Sequence, residues 1–339
     1  MEHCGIDVHQ KTSEICVVDR EGEVSERTKT RTRRSSLERY FGSRPRMRVV
    51  MEAGGSSQWV SRLIEGCGHE VVVCAPRRVR LIAESTLKSD EIDAEVLARL
   101  GRIDHGFLGR VTHRSEESQV LKANLTVRAA LVKSRSKWIN TVRGILRGFG
   151  YRVGGGRSGL FHKRCAEVEV PEELRAVIQP MLKQLEKVTE EIEGIEKKLE
   201  GMAKDIPEVG QLQTIPGVGL IVALYFVLSI DDPERFRRSR DVGAFFGLRP
   251  RMRGSADIQH HGTITKQGDP EMRRLLVQAA HGMMKTRDRC HLQTWAAELA
   301  ARRGKAKAMV ALARKIAVLM HHLLVTGEVF RSFPKQDAA

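Results

Sequence analysis

The sequence predicts an α/β domain followed by a mainly helical region, because its hydrophobic pattern changes once along the chain. In the first hundred residues, short apolar runs of strand length alternate with short helical segments. From about residue 115, apolar residues recur at intervals of three and four, with Lys and Arg on the other face. A glycine-rich break at 150–160 and a regular heptad series over 174–199 follow. We therefore expect an α/β domain at 1–112, a basic helical and coiled-coil region at 113–205, and a mainly helical domain at 206–339.

The order of the first elements predicts a particular sheet. Strand patterns occur in GIDVHQ and SEICVVDREGEV, and a third strand, VSERTKTRT, follows the Glu-Gly turn. Helix and strand patterns then alternate through SLERYFGS, RVVMEA, SSQWVSRLIEGCG and EVVVCAP. Parallel neighbours would be joined by right-handed crossovers. Three successive strands followed by such an alternation are typical of a ribonuclease-H-like sheet.

The last third of the chain is predicted to be helical around one polar segment. The segment IPGVG can direct backbone amides toward a phosphate, although it is also common in plain turns. The polar stretch RPRMRGSADIQHHGTITKQGDP predicts an irregular hairpin or an exposed loop. Two helices, in EMRRLLVQAAHGMM and KAMVALARKIAVLMHHLL, are expected to close the domain.

The net charge of +16 comes from clustered basic residues. Residues 27–48 carry nine Lys or Arg and one acid, 121–147 carry seven and no acid, and 235–253 carry seven and one acid. A single run of this kind is commonly a solvated surface. Three runs favour a nucleic-acid partner, because clustered cations release counterions from phosphate backbones.

Other classes of protein fit the sequence less well. No apolar run approaches the roughly 20 residues of a membrane span, so no membrane partner is expected. The first residues lack the basic and then apolar regions of a signal peptide. The six cysteines are scattered without a Cys-x-x-Cys pair, which argues against a zinc site or a disulfide framework. We expect a protein of the reduced cytosol.

Four acids are candidates for a shared metal site. Asp7 lies within the first strand pattern and Glu52 ends an otherwise apolar strand, where a carboxylate is costly to desolvate unless a cation or hydrogen bonds compensate. Asp90 and Asp93, at i and i+3, lie on one face of an apparent helix. A ligand set of oxygens, without Cys or His, favours Mg²⁺ or Mn²⁺ over zinc. The alternatives are an edge-strand acid for Asp7 and a capped helix start for the Asp pair.

Several segments resemble one family of mobile-element enzymes. GIDVHQKT, MEAGG and KSDEIDAEVLA resemble the N-terminal domain of DEDD transposases of the insertion-sequence one-ten family, also called bridge recombinases. TIPGVG, FRRSRDVGAFFGLRP and GTITKQGDPEMRRLLVQAA resemble the family's C-terminal transposase domain. The resemblance covers nearly the whole chain, with both halves in the expected order. It implies a RuvC-like N-terminal domain in which Asp7, Glu52, Asp90 and Asp93 hold Mg²⁺ or Mn²⁺.

The resemblance also implies a nucleophile. In the family a serine after the GL-x-P motif attacks DNA, and the matching residue is Ser255, followed by alanine where the family usually has glycine. Arg249, Arg251 and Arg253 precede it, and their guanidinium groups could bind a scissile phosphate. An unactivated hydroxyl is a poor nucleophile, so metal ions or a base must assist it. Outside this family context, a Gly-Ser dipeptide is usually a turn.

In the implied reaction, the acids with their metal ions and the serine act together on one phosphodiester. The acids and the serine could belong to one subunit or to two. A covalent phosphoserine link would then let DNA strands exchange without ATP. The family uses a structured non-coding RNA that pairs with donor and target DNA, which leaves the protein to grip backbones. The side chains expected to grip them are Arg128, Lys133, Arg135, Lys137, Arg143, Arg249, Arg251 and Arg253.

The heptad series predicts a coiled coil or a helical hairpin, with its partner helix inside the chain or in another subunit. Its members are Leu174, Ile178, Met181, Leu185, Val188, Ile192, Ile195 and Leu199. We expect self-association to a dimer or tetramer through these heptads, in the prokaryotic cytosol or nucleoid.

Two other functions compete with an RNA-guided transposase. One is a RuvC-like, metal-dependent junction nuclease, in which the acids cut with water and Ser255 is only a turn residue. The other is a non-catalytic nucleic-acid binder with a decayed acidic site, against which the presence of all four acids argues.

Overall fold

Five strands form one mixed sheet in the first part of the chain. The computed structural model describes residues 1–76, 90–102, 109–113, 115–253, 260–287 and 289–333. The strands are β1 (His3–Val8), β2 (Thr12–Val18), β3 (Val24–Arg31), β4 (Arg48–Glu52) and β5 (Glu70–Cys74). Their order is β3-β2-β1-β4-β5, in which β1, β2 and β3 are antiparallel neighbours and β1, β4 and β5 are parallel neighbours. The predicted α/β start of the chain is thereby confirmed.

Helices α1 (Arg34–Gly42) and α2 (Ser57–Gly66) pack on one face of the sheet. Because side chains alternate along a strand, every second residue of β1 and β4 points to these helices. Ile6 and Met51 from the strands are fully buried together with Phe41 of α1. This apolar core holds the five strands in register, so that the carboxyl ends of β1 and β4 lie side by side.

Helix α3 (Asp90–Leu100) packs closely on the opposite face. A Cβ atom on Gly5 of β1 would lie 1.9 Å from the carbonyl oxygen of Ala94 and 2.3 Å from the amide nitrogen of Ala98. The two alanines are about one helical turn apart, so α3 presents its smallest side chains to the glycine. This glycine-on-alanine contact determines how near the first turn of α3 comes to the end of β1.

Contacts divide the chain into two units, Met1–Arg114 and Ser115–Ala339. The second unit is mainly helical, as predicted. The strands β6 (Pro250–Arg253) and β7 (His260–Ile264) pair in the polar segment, which was expected to form either an irregular hairpin or an exposed loop. The helices of the second unit are α4 (Glu116–Gly148), α5 (Phe161–Ala166), α6 (Glu172–Ala203), α7 (Pro207–Gln213), α8 (Leu220–Ile230), α9 (Val242–Phe245), α10 (Pro270–Met283), α11 (His291–Arg303) and α12 (Lys305–Thr326).

The heptad face of α6 is covered by α4 of the same chain. Ile178 and Leu185 are buried with Ile139 and Leu146 of α4. Farther along α6, Leu199 is buried in the core that α4 shares with the C-terminal helices. The helical hairpin, one of the two predicted arrangements, is therefore the one observed. Self-association through these heptads loses its physical basis, because their apolar face is already buried, and the oligomeric state stays a prediction.

Replacing Ile178 by alanine should lower the free energy of unfolding by about 2–5 kcal/mol, because the lost methyl groups leave a cavity between α4 and α6. Ile178 is 0% exposed, whereas its neighbour Val177 is 64% exposed. Val177→Ala should therefore change stability by less than about 0.5 kcal/mol. Urea unfolding followed by circular dichroism measures both variants, and equal effects would contradict burial of the heptad face.

The IPGVG segment makes a close helix contact. Gly217 has a φ of +84°, and a Cβ atom there would lie 2.4 Å from the carbonyl oxygen of Ala279 and 2.4 Å from the amide nitrogen of Met283. Gly282 of α10 faces it, since its own Cβ would lie 3.3 Å from the Gly217 Cα. Packing of the turn against α10 therefore accounts for this glycine.

The C-terminal core contains one helix more than predicted, because α11 lies between the two expected helices. By length and composition alone, α12 is apolar enough to cross a membrane, contrary to the expectation that no apolar run approaches the length of a span. Half of its most apolar window is buried inside the protein, and Leu312, Ile316 and Met320 are 0% exposed. A core helix passes the same test, so this is weak evidence for a membrane span.

Candidate metal centre

Three side chains converge where β1 ends and α3 begins. The Nε2 atom of His9 lies 3.0 Å from Oδ2 of Asp7 and 3.3 Å from Oδ2 of Asp90. One ligand atom from each of the three lies within 4.8 Å of the other two. The Asp7 side chain is 20% exposed and that of Asp90 is 56% exposed, so the group lies at the edge of the solvent. Two of the four predicted acids are thus brought together.

Sheet pairing and helix packing explain this convergence. Ile6 of β1 is paired with Met51 of β4, so Asp7 and Glu52 follow at neighbouring positions of two parallel strands. The contact of α3 with Gly5 brings the first turn of the helix to the same end of the sheet. The carboxyl ends of parallel strands are where ligand-binding residues of such sheets collect.

Glu52 and Asp93 lie near this group but do not belong to it. Among the residues that the structure describes, the group has three members. The charge of Asp93 raises the pKa of Asp7 and is therefore within electrostatic reach of it. Glu52 is paired in register with Cys74 of β5. Burial and then the Glu52 charge raise the pKa of the Cys74 thiol to about 11.

Burial raises the pKa of the Asp7 carboxyl above its usual range, and the charges of Asp93 and Asp90 raise it further, while His9 opposes them. A raised pKa indicates a carboxylate that is short of water and of counter-charge. A cation between Asp7 and Asp90 would lower this pKa again, because a nearby positive charge stabilises the ionised form. The electrostatics of the site thus suit a divalent ion.

His9 changes the expected donor set. The preference for Mg²⁺ or Mn²⁺ rests on oxygen ligands alone, yet an imidazole nitrogen lies between the two carboxylates. Imidazole suits Zn²⁺ and Fe²⁺ better than Mg²⁺, whereas two carboxylates favour a hard ion. The residues present therefore fit a divalent cation and leave its identity open. The sequence contained a signal for His9, because it follows Asp7 by two residues and such residues share a strand face.

Glu14 of β2 is a further acid that sequence reasoning missed. It is directly opposite Asp7 in the sheet, is 7% exposed, and its Oε1 lies 2.5 Å from Nζ of Lys29 in β3. This contact raises the pKa of Lys29, with smaller contributions from Asp90 and Glu91. Cross-strand partners share a face of the sheet, so Glu14 and Lys29 lie beside the converging group of three side chains. Glu14 thus adds a fifth carboxylate to the four predicted acids. The signal was an acid within the apolar strand SEICVV.

The side chains expected to grip nucleic acid have different surroundings. Lys133 and Lys137 are exposed on α4. Arg128 is instead paired with Glu196 of α6 at 2.5 Å. Burial lowers the pKa of the Arg135 guanidinium, whose Nε has no hydrogen-bond partner among the residues described. Arg128 and Arg135 therefore contribute to the packing of α4 against α6.

The remaining predicted residues lie at the end of α4 and around the hairpin. The Arg143 guanidinium lies 5.2 Å from the centre of the Phe161 ring. Arg249 and Arg251 are exposed. Ser255 and the side chain of Arg253 lie outside the residues that the structure describes.

The sequence matches two family models over most of its length. A model of DEDD transposases of IS110, described as "Transposase", matches residues 4–150. A second model, described as "Transposase IS116/IS110/IS902 family", matches residues 209–296. The order of the two matches is that of the two halves recognised in the sequence.

Named relatives match along nearly the whole chain. The "Transposase for insertion sequence element IS1111A" of Coxiella burnetii is 30% identical over 338 residues, which cover 96% of this chain and 90% of the relative. The "Transposase for insertion sequence element IS1328" of Yersinia enterocolitica is 31% identical over 332 residues, covering 96% and 97%. A "Probable family 20 transposase" of Pseudomonas aeruginosa is 27% identical over 343 residues, covering 98% and 99%.

The first unit is an α/β domain with converging carboxylates, and the second is a basic helical unit. Together with these matches, they define a transposase, an enzyme that acts on DNA. The chain belongs to the IS110 family of transposases.

Proposed function

We propose that this transposase cuts and rejoins DNA strands through a covalent phosphoserine intermediate. Ser255 is the proposed nucleophile, and Asp7, Glu52, Asp90 and Asp93 are the proposed metal ligands, with His9 beside them. The observation that carries the proposal is the convergence of Asp7, His9 and Asp90 at the end of a parallel strand pair, in a chain of this family.

The strand order supports a ribonuclease-H-like or RuvC-like first domain. Three antiparallel strands continue into two parallel ones, in the order β3-β2-β1-β4-β5. In that arrangement Asp7 and Glu52 lie near the carboxyl ends of neighbouring parallel strands, and α3 carries Asp90 and Asp93 in its first turn. This arrangement supports a site in which acids from three separate segments act on one phosphodiester.

The proposed serine step conserves the number of phosphate ester bonds. The Ser255 hydroxyl oxygen attacks phosphorus and forms a serine–phosphate ester, while the phosphorus–oxygen bond to one DNA end breaks and that oxygen takes up a proton. Attack by the hydroxyl of a second DNA end reverses the step and releases the serine, so strand exchange needs no ATP. When bound, Mg²⁺ or Mn²⁺ would polarise the phosphate and stabilise the leaving oxygen. The guanidinium groups of Arg249 and Arg251 would hold the phosphate oxygens.

The proposed partners are donor and target DNA, a structured non-coding RNA that selects them, and further copies of the chain. The net charge of +16 and the low aromatic content of 5% suit a protein that grips backbones while base pairing reads sequence. We place the reaction in the prokaryotic cytosol or nucleoid, where the DNA substrate lies.

Ser255→Ala should eliminate the covalent protein–DNA product, because alanine has no oxygen to form the ester. The measurement is denaturing electrophoresis of the transposase after reaction with end-labelled DNA from the element boundary. Ser158→Ala is the matched control, since Ser158 is an exposed serine in another basic, glycine-rich segment, and this variant should form normal amounts of product.

The same variants distinguish the transposase mechanism from the junction nuclease. If Ser255→Ala still cleaves DNA at the normal rate and no covalent product forms with the unsubstituted protein, the acids act with water and the serine mechanism is wrong. Loss of both cleavage and covalent product, with the Ser158 variant active, supports the phosphoserine route.

A further inference from the structure

A concave pocket lined by three arginines and a tyrosine lies at the end of α4. The cavity has a volume of about 400 Å³ and is lined by Arg143, Arg147, Tyr151, Arg152 and Val153. We call it the arginine pocket. Among the described residues that line it, none is a carboxylate. Its size is in the range of sites for small ligands, and its lining suits an anion with an adjacent flat group.

The arginine pocket lies in a strongly basic part of the sequence. Between Glu117 and Glu167 the sequence has eleven Lys or Arg and no acid. Within the described part of the chain, no carboxylate forms an ion pair with Arg143, Arg147 or Arg152. Guanidinium groups gathered in a concave space without a counter-charge attract phosphate, which they bind through paired N–H donors.

Stabilisation of the helix end accounts for part of this cluster only. Arg143 and Arg147 are one turn apart near the C-terminus of α4, where cations interact favourably with the helix dipole. Arg152 lies beyond the helix, in the glycine-rich segment 150–160. The Tyr151 amide donates a hydrogen bond of 2.9 Å to the carbonyl of Leu146, which folds this segment back against the helix end. The chain therefore turns back and adds a third arginine and an aromatic ring to the two helical arginines.

We propose that the arginine pocket binds one unpaired nucleotide of an RNA, with the phosphate held by Arg143, Arg147 and Arg152 and the base stacked on Tyr151. A duplex exposes its phosphates on a convex surface and keeps its bases stacked inside, so it has no free base for a concave site. Loops and single strands of RNA offer unstacked bases, which proteins bind on aromatic rings and arginine planes. Tyr151 and Arg152 also lie in the stretch 151–208, between the two family matches. This inference rests on the proposed RNA partner.

The test compares binding of single-stranded RNA and duplex DNA by the full-length protein. The probes are fluorescein-labelled oligouridylate of about 12 nucleotides and a DNA duplex of about 20 base pairs, measured by anisotropy over a range of salt concentrations. The variants are Arg147→Ala with Arg152→Ala, Tyr151→Ala and Tyr151→Phe. The matched control is Arg302→Ala with Arg303→Ala, which removes the same charge from an exposed site on α11.

For the double arginine variant, the slope of log affinity for oligouridylate against log salt should fall by about 0.7, the value for loss of the one phosphate contact that the pocket makes. Tyr151→Ala should weaken oligouridylate binding about fivefold or more, because stacking on the ring is lost, whereas Tyr151→Phe keeps it. The control pair and duplex binding should change little. Circular dichroism of each variant checks that the helices are intact, and the double arginine variant tests the proposal even if Tyr151→Ala unfolds.

The possible outcomes distinguish failure of the arginine pocket as a binding site from failure of the proposed RNA partner. If the unsubstituted protein prefers oligouridylate but the pocket variants behave like the control, the arginine pocket is not the site. If the unsubstituted protein does not bind oligouridylate, the RNA partner itself is contradicted. If the double variant loses affinity equally for oligouridylate and for the duplex, the pocket is a general backbone contact. This result would overturn the assignment to an unpaired nucleotide.

Discussion

An Asp7→Asn variant is expected to lose metal-dependent DNA cleavage by at least about a hundredfold while remaining folded. Asp7 is the more buried of the two carboxylates that approach His9, and its amide counterpart keeps the shape but loses the negative charge. Changes to residues that only support metal ligands already cost about 10–100-fold in affinity or activity, so loss of a ligand should cost at least as much. The measurements are single-turnover cleavage of element-boundary DNA and calorimetric titration with Mn²⁺.

The folded state should tolerate this change within about 1 kcal/mol, because the amide removes repulsion by Asp93 and Asp90 as well as attraction by His9. Glu91→Gln is the matched control, since Glu91 is an exposed acid in the same first turn of α3. That variant should cleave DNA and bind Mn²⁺ as the unsubstituted protein does. Normal Mn²⁺ binding and cleavage by Asp7→Asn would contradict the proposed metal centre.

A Gly5→Ala variant should destabilise the first unit by about 2 kcal/mol or more and lose cleavage together with metal binding. The added methyl group would lie 1.9 Å from the Ala94 carbonyl oxygen, which belongs to the backbone and cannot rotate away. Overpacking of this kind costs about 1–3 kcal/mol, and α3 must move off the sheet to relieve it. Because Asp90 and Asp93 are carried by α3, their positions relative to Asp7 change as well.

Hydrogen exchange of the β1 and α3 amides, read by mass spectrometry, measures this local effect. Gly66→Ala is the control, because a Cβ atom on this exposed helix-terminal glycine would meet no other part of the described chain within 4 Å. Its exchange rates should match those of the unsubstituted protein. Unchanged exchange in Gly5→Ala would show that α3 is not held by the close contact.

Much of the first unit could be predicted from local pattern. The five strands, their succession along the chain and helices α1 and α2 follow from period-two and helical spacing, which depend on residues two to four apart. The acids Asp7 and Glu52 stand out for the same reason, since a charged residue interrupts an apolar strand. Glu14 has the same signal, because it too is an acid within an apolar strand. His9 follows Asp7 by two residues, but a histidine is not among the oxygen ligands that the pattern of acids predicts.

The heptad series shows a limit of sequence patterns. Regular spacing over α6 predicts an apolar stripe but cannot say which helix covers it. The structure covers it with α4, which removes a reason to expect a second copy. The arginine pocket shows the same limit, because Arg152 joins Arg143 and Arg147 only when the glycine-rich segment folds back.

The sequence by itself determined the family, the strand and helix order, and the kinds of charged residue that the protein presents to nucleic acid. Each of these depends on residue type and short-range spacing. Only the tertiary structure decided that His9 lies between Asp7 and Asp90, that Lys29 pairs with Glu14, and that α4 covers α6. These contacts join segments separated along the chain, and their geometry depends on how closely whole helices and strands can pack, as the Gly5 contact with α3 illustrates.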